Sequence, residues 1–227
     1  MSKKELFKRY ALFLVGLFIN SFGISFITKA GLGTSPISSV PYTLSLAFGP
    51  TIGEFTIIVN LLLIVFQVIL LGKQFKLREL LQIPVSFLLG YFLDISMGIL
   101  DWMDPQNYVM QVLCLLIGCL ILGFGVYTEF LADVVMLPGE AFVRAITQRF
   151  HTEVGNTKIG VDSSMVICAV LISLAAFHGL QGVREGTVIT AMLIGTIVRF
   201  CMKHLVFLPK LLFPEAVGRD AAGLEAE

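Results

Sequence analysis

The sequence predicts an all-α polytopic membrane protein with six transmembrane helices, arranged as two inverted three-helix repeats. Each repeat is expected to carry a short broken or interfacial helix after its first span. Hydrophobic residues make up 56% of the chain and charged residues only 14%, with a mean hydropathy of +0.89, which is far from the composition of a soluble domain. A membrane protein is therefore the starting prediction.

Six apolar stretches are long enough to cross a hydrocarbon core of about 30 Å, which takes about 20 residues of helix. They cover residues 10–28, 52–71, 81–100, 109–131, 161–177 and 187–206. The first is too long for a cleaved signal peptide, and five more follow it. We expect a first membrane repeat over residues 1–106, a second over 107–213, and a flexible cytoplasmic tail over 214–227.

The basic residues are unevenly divided between the two sides of the predicted bundle. One side holds chiefly Lys29 and Arg184. The other side holds Lys3, Lys4, Lys8, Arg9, Lys73, Lys76, Arg78, Arg144, Arg149, Lys158, Lys203, Lys210 and Arg219. The positive-inside rule then places both termini in the cytoplasm. The net charge is zero and no basic stripe is present, so we expect no nucleic-acid partner.

The chain matches itself at an offset of 102 residues, and the matches fall on glycine and proline, which fix backbone geometry. The matched pairs are Gly16 and Gly118, Phe22 and Phe124, Gly23 and Gly125, Ala30 and Ala132, Pro36 and Pro138, Phe48 and Phe150, and Gly53 and Gly155. In the third spans the offset grows by three, pairing Gly90 with Gly195. Because three crossings per half is odd, the second half is expected to be inverted, as in many secondary transporters. The alternative is two unrelated bundles that share small packing residues.

The stretch "KAGLGTSPISSVPY" at residues 29–42 interrupts the apolar pattern. Its glycines end a helix, and Thr34 or Ser35 is expected to cap a new short helix that starts at Pro36. A helix N-terminus suits an anion or carboxylate. The predicted substrate-binding residues are Gly33, Thr34, Ser35, Ser38, Ser39 and Asn20. Two placements stay open for this short helix: inside the bundle beside a cavity, or flat on the outer surface.

Charged residues inside spans are costly and tend to face cavities or partners. Asp94 in the third span and Arg199 in the sixth occupy related positions, so we expect a coupling or gating pair. The alternative is that Arg199 snorkels to the cytoplasmic face and Asp94 reaches the outer interface. Glu129, near the end of the fourth span, is expected at the interface. The helix after Pro138 is also expected at the cytoplasmic interface, with Glu140 and Arg144 spaced for an ion pair.

No catalytic motif is found: the sequence contains no HExxH, GxSxG, P-loop or dinucleotide-binding fingerprint. The four cysteines lie in apolar runs without ligand spacing. We expect no enzyme activity, no catalytic residue, no cofactor and no metal site.

Four stretches resemble the YczE/YyaS/YitT family of bacterial membrane proteins. They are "GLGTSP" after the first span, "GEFTIIVNLLLIVFQVILLG" in the second, "PVSFLLGYFLD" in the third and "GTVITAMLIGTIVRF" in the sixth. The resemblance implies a multi-pass protein of the bacterial inner membrane, in a family usually described as transporters. It supplies no known binding or catalytic residue.

The function expected from these observations is secondary transport of a small polar or anionic solute, with one repeat rocking against the other. Two alternatives stay open: a regulatory or scaffolding membrane protein that moves nothing, and the substrate-binding subunit of a multi-component importer. The expected partners are the lipid bilayer, the solute and, as an open alternative, a second copy in a homodimer.

Overall fold

The computed structural model describes residues 3–205 and 207–212, and helices dominate this part of the chain. They are α1 Lys3–Lys29, α2 Pro36–Ala47, α3 Ile52–Leu71, α4 Gln82–Ile99, α5 Tyr108–Ala132, α6 Pro138–Phe150, α7 Val154–Phe177, α8 Glu185–His204 and α9 Phe207–Leu212. Two short 3₁₀ turns, Gly72–Gln74 and Leu77–Leu81, join α3 to α4.

Six helices (α1, α3, α4, α5, α7 and α8), α3 and α4 with their adjoining 3₁₀ turns, are long and apolar enough to cross a membrane. Each contains one predicted span or nearly all of it. The prediction of six transmembrane helices is therefore confirmed, and the chain is a multi-pass membrane protein. The end of the sixth predicted span at Val206 and the tail from residue 214 lie outside the described residues.

The centre of the bundle is a close crossing of α1 and α5. A Cβ added to Gly23 would lie 2.5 Å from the backbone nitrogen of Leu122, and one added to Gly125 would lie 2.6 Å from the backbone nitrogen of Asn20. Small residues allow two helix backbones to approach this closely, as is common in membrane bundles.

The two central helices run antiparallel. Further along the crossing, Gly16 faces Glu129 while Gly118 faces Ile27. Consequently α1 and α5 finish at opposite ends of the bundle. We name these ends after the last residues of the two helices, the Lys29 end and the Ala132 end.

The contacts of this crossing recur in pairs. The contact between Gly23 and Leu122 becomes the contact between Gly125 and Asn20 when 102 is added to one number and subtracted from the other. The same arithmetic converts the Gly16 contact with Glu129 into the Gly118 contact with Ile27.

The remaining helices surround the central pair. α4 packs on α1, where Ser21 and Ser25 donate hydrogen bonds to carbonyls of α4 at 3.5 and 3.3 Å. α8 packs on α5, where Gly123 faces Ile197. α2 packs on α3 and α7, and α6 packs on the same two helices. α3 also packs along α4, whereas α7 and α8 form no comparable interface in the described residues.

The chain breaks after α1 and after α5 as the sequence predicts. α1 is followed by Gly31 and Gly33, with φ of 78° and 104°, and α5 by Asp133, with φ of 48°. The next helices begin at Pro36 and Pro138. α2 continues through Pro41 without restarting.

The α1–α5 crossing predicts the effect of alanine at Gly23. A methyl group there would collide with the backbone of Leu122, so Gly23→Ala should lower the free energy of unfolding by about 1–3 kcal/mol. Gly98→Ala is the matched control, since nothing lies within 4 Å of its Cβ position, and it should be neutral or stabilising by up to about 1 kcal/mol. Thermal unfolding in detergent measures both, and equal effects would contradict the close crossing.

Candidate functional site

The predicted substrate-binding hydroxyls are gathered between α1 and the first turn of α2. We call Thr34, Ser35, Ser38 and Ser39 the hydroxyl cluster; all four are buried. The Thr34 hydroxyl lies 2.9 Å from that of Thr28. Ser35 donates to Ser38 at 2.9 Å, and Ser39 donates to the carbonyl of Pro36. Each hydroxyl of the cluster therefore has a partner within the protein. The expected cap is not formed, because the Ser35 side chain makes no hydrogen bond to the N-terminus of α2.

α8 holds the loop that carries this cluster. The Thr34 N–H donates to the Thr187 hydroxyl at 3.3 Å, and the Thr190 hydroxyl donates to the Thr34 carbonyl at 3.4 Å. A Cβ on Gly33 would overlap the Thr187 hydroxyl. The structure thus gives Gly33 a packing reason in addition to its positive φ.

The N-termini of α2 and α6 meet inside the bundle. The side chain of Ile37 lies 2.8 Å from the position of a Cβ on Gly139, and Gly139 is buried. Gln67 of α3 donates to the carbonyl of Pro138 at 3.1 Å. The Ser35 side chain makes no cap hydrogen bond with α2, and Leu137, the N-cap residue of α6, has no side-chain acceptor. Two partially positive helix ends therefore lie close together in the protein interior.

Asn20 lies apart from the hydroxyl cluster. Its backbone packs against Gly125 at the α1–α5 crossing, and its side chain interacts with the carboxyl of Glu129. The structure therefore places Asn20 beside a buried acid, whereas Gly33 and the four hydroxyl residues form one group.

Glu129 is buried, with 7% of its surface exposed, and its Oε1 has no hydrogen-bond partner in the described part of the chain. Glu129, expected at the interface, does not face outward, because its helix face is covered by α1 at Gly16. A buried carboxyl with an unpaired oxygen costs free energy. The sequence alone does not indicate this burial, because the burial depends on the contact between α1 and α5.

Asp94 of α4 is hydrogen-bonded to the N-terminus of α3. Its carboxylate accepts from the Thr51 hydroxyl at 2.7 Å and from the Gly53 N–H at 2.9 Å. Thr51 also closes a capping box with Glu54 at the start of α3. At the same level the backbones of Gly53 and Gly90 touch, so that a Cβ on either would overlap the other. We call these contacts the α3–α4 clamp.

Arg199 does not meet Asp94 in this structure. Its Nε donates to the carbonyl of Gly195 in its own helix at 3.1 Å, its side chain is exposed, and no ion pair with Asp94 forms within residues 3–205. The reason is the direction of α8, which starts beside the loop at the Lys29 end. Arg199 follows Thr187 by twelve residues toward the Ala132 end. The expected approach of the two charges is therefore not observed.

A cleft of about 470 Å³ opens beside Asp94 at the Lys29 end. Its lining is Thr28, Lys29, Tyr42, Ser45, Leu46, Pro50, Thr51, Ile52, Asp94 and Met97. Lys29 bonds the exposed Asp101 at 3.0 Å, and burial raises the pKa of Tyr42. The sequence does not identify Lys29, Tyr42 and Thr51 as lining residues of this cleft. For Thr51 a signal exists, because the Thr-x-x-Glu spacing of a capping box marks the start of α3.

Glu140, in the first turn of α6, lies near a pair of charges on α7. Burial raises the pKa of Glu140; Lys158 opposes this rise and Asp162 adds to it. Lys158 and Asp162 bond each other at 3.3 Å. The expected ion pair between Glu140 and Arg144 is not found within the described ranges.

The chain matches a family of unknown function, DUF6198, over residues 7–203. The chain belongs to this family. It is 28% identical to the uncharacterized membrane protein YczE of Bacillus subtilis over 99% of this chain and 97% of that protein. It is 24% identical to the uncharacterized protein YyaS of the same species, over 86% of this chain and 92% of the relative. An uncharacterized protein of Haemophilus influenzae is 26% identical over 90% of this chain and 88% of its own length. No solved structure matches.

Membership of the DUF6198 family confirms the resemblance to YczE and YyaS drawn from the sequence motifs. The family match covers α2 to α7 completely, together with nearly all of α1 and α8. It therefore includes the hydroxyl cluster and the α3–α4 clamp. These three relatives are uncharacterized and indicate no substrate.

The α3–α4 clamp predicts different outcomes for two substitutions of Asp94. Asp94→Ala removes the acceptor of two hydrogen bonds and should lower the free energy of unfolding by about 1–3 kcal/mol. Asp94→Asn keeps an oxygen for the Gly53 N–H and offers an N–H to the Thr51 hydroxyl, so it should cost less than about 1 kcal/mol. Thermal unfolding of the two variants compares them, and equal losses would show that the clamp depends on charge alone.

The raised pKa of Glu140 predicts a pH dependence of stability. A carboxyl that holds its proton more tightly when folded stabilises the protein at low pH, and this contribution is lost as pH rises above the unfolded value of about 4.3. Relative to Glu140→Gln, the wild-type protein should therefore lose stability as pH rises from about 4 to 7. Melting curves of both proteins across this range test the sign, and a rising or flat difference would contradict it.

Proposed function

We propose that the protein is a secondary transporter of a small polar or anionic solute across the bacterial inner membrane, with both termini in the cytoplasm. The observation that carries the proposal is the meeting of the α2 and α6 N-termini inside the bundle, at Ile37 and Gly139. Interrupted helices whose N-termini converge are the usual way in which transporters bind anionic groups within a bilayer.

The contacts related by 102 residues support an inverted repeat, with residues 1–106 as one unit and 107–213 as the other. The α1–α5 crossing is its own counterpart under this relation. The packing of α2 on α7 corresponds to that of α6 on α3, and the packing of α4 on α1 corresponds to that of α8 on α5. Substrates of inverted-repeat transporters bind where the two repeats meet, which here is the region of Ile37 and Gly139.

The chemistry of this region favours a polar or anionic solute. The helix ends supply partial positive charge, and the hydroxyl cluster supplies donors that now bond other protein groups, such as Ser35 to Ser38 at 2.9 Å. On α3, Nδ2 of Asn60 is buried without a hydrogen-bond partner in the described part of the chain. A solute that accepts hydrogen bonds would exchange these internal bonds for its own.

Ligand-dependent thermal unfolding of the purified protein tests for a solute. A panel of amino acids, organic acids, nucleobases and inorganic anions should contain a compound that raises the midpoint, since at a hundred times its dissociation constant a ligand adds about 2.7 kcal/mol of stability. We expect the shift to vanish in Ser35→Ala and to persist in Ser45→Ala. Ser45 is the matched control, a serine of α2 that bonds the Tyr42 carbonyl outside the cluster.

A flat panel with a cooperative unfolding transition would argue against this site. It would favour one of the alternatives, a regulatory or scaffolding protein or the binding subunit of a larger importer. Crosslinking to a partner protein, or copurification with an ATPase, would then distinguish those two.

The coupling role proposed for Asp94 is tested by flux in proteoliposomes. Asp94→Asn keeps most of the α3–α4 clamp but removes a negative charge beside the cleft that also contains Lys29. We expect the loss of concentrative transport with folding intact. Full activity of this variant would remove the coupling role.

A further inference from the structure

The two halves of the bundle differ at one interface. In the first half, Gly53 of α3 and Gly90 of α4 are in backbone contact. Their counterparts, Gly155 of α7 and Gly195 of α8, have nothing within 4 Å of their Cβ positions. The α3–α4 clamp is thus closed, while the corresponding faces of α7 and α8 are separate and exposed.

The charged residues of these faces are also counterparts. Thr51, the N-cap residue of α3, corresponds to Glu153, the N-cap residue of α7. Asp94 of α4 corresponds, at the offset of 105 that also relates Gly90 to Gly195, to Arg199 of α8. A hydroxyl and a carboxylate in the first half are therefore replaced by a carboxylate and a guanidinium in the second.

Neither residue of the second pair uses this complementarity in the observed state. Glu153 is exposed and accepts a hydrogen bond from Asn156 at 3.1 Å. Arg199 is exposed and bonds its own helix. A carboxylate and a guanidinium form strong, directional pairs when brought together, and the two glycines leave room for their helices to close.

We propose that the protein has a second state in which α7 packs along α8 through Gly155 and Gly195, with an ion pair between Glu153 and Arg199. The α3–α4 clamp opens in that state. The inference rests on the proposed transport function, since it supplies the two conformations that alternating access needs. The described structure is then the state in which the α3–α4 contact at the Lys29 end is formed and the α7–α8 contact at the Ala132 end is not.

The glycines themselves support this inference. A glycine within a helix destabilises it relative to alanine, and an exposed position with no neighbour gives no packing reason for one. Gly195 lies in the middle of α8. If α7 packs closely against α8 in a second state, a glycine is needed at position 195. The contact with Gly53 requires a glycine at position 90 in the same way in the observed state.

Cysteine crosslinking in native membranes tests the second state. In a full-length background with the four native cysteines replaced, Thr51→Cys with Asp94→Cys reports the observed clamp, whose oxygens lie 2.7 Å apart. Glu153→Cys with Arg199→Cys reports the proposed pair. Glu153→Cys with Met192→Cys is the negative control, because Met192 lies about 10 Å from Arg199 along α8.

We expect both reporting pairs to crosslink on oxidation and the control pair to fail. The two crosslinks should also exclude each other, so that prior locking of residues 51 and 94 lowers the yield of the other pair at least about tenfold. Crosslinking at 51 and 94 without any at 153 and 199 would overturn the proposal, and so would simultaneous formation of both.

A bulky side chain on α8 provides a second test of closure. Gly195→Leu faces open space in the observed state, so it should keep the melting temperature but block closure and lower the second crosslink at least about tenfold. Gly98→Leu, also in open space but on α4, should leave that crosslink unchanged. A solute-induced melting shift without the second crosslink would refute this inference and leave transport standing. Both crosslinks without any solute response would instead refute transport.

Discussion

The close crossing of α1 and α5 is the constraint on which the rest of the structure depends. Because glycines let the two backbones touch, neither helix can rotate or slide without a collision at Leu122 or Asn20. The crossing fixes where each central helix ends, and therefore where the chain turns into α2 and α6. The contact between Ile37 and Gly139 therefore depends on the α1–α5 crossing, although neither residue belongs to that crossing.

Most buried polar side chains in the described part of the bundle are hydrogen-bonded to other protein groups. Ser35 and Ser38 bond each other, and Gln67 and Gln82 exchange two hydrogen bonds of 3.1 Å. The exceptions are Thr43, Asn60, Ser96 and Glu129, each of which keeps a buried side-chain atom without a partner in the described residues. Unsatisfied atoms inside a membrane bundle are costly, and in the described part of this protein they are spread over four helices, α2, α3, α4 and α5.

Local features were predictable from the sequence, and the contacts between distant helices were not. The six spans follow from length and composition, and the starts of α2 and α6 follow from Pro36 and Pro138. The partners of Asp94 and the burial of Glu129 depend on which faces meet, and a single sequence with weak helix periodicity does not specify this. The sequence predicts the residues of the hydroxyl cluster but not the hydrogen bond between Ser35 and Ser38. It also predicts Asn20 as part of the same site, whereas the Asn20 side chain contacts Glu129.

Because the α1–α2 loop is hydrogen-bonded to α8, a movement of this helix also moves the loop. One end of α8 holds the loop through Thr187 and Thr190, and about 18 Å further along the helix axis the same rod carries Arg199. A tilt of α8 that brings Arg199 toward α7 must also pull on the loop that contains Thr34. Events at the two ends of the bundle are thereby mechanically linked through a single helix, without a chain of intervening side chains.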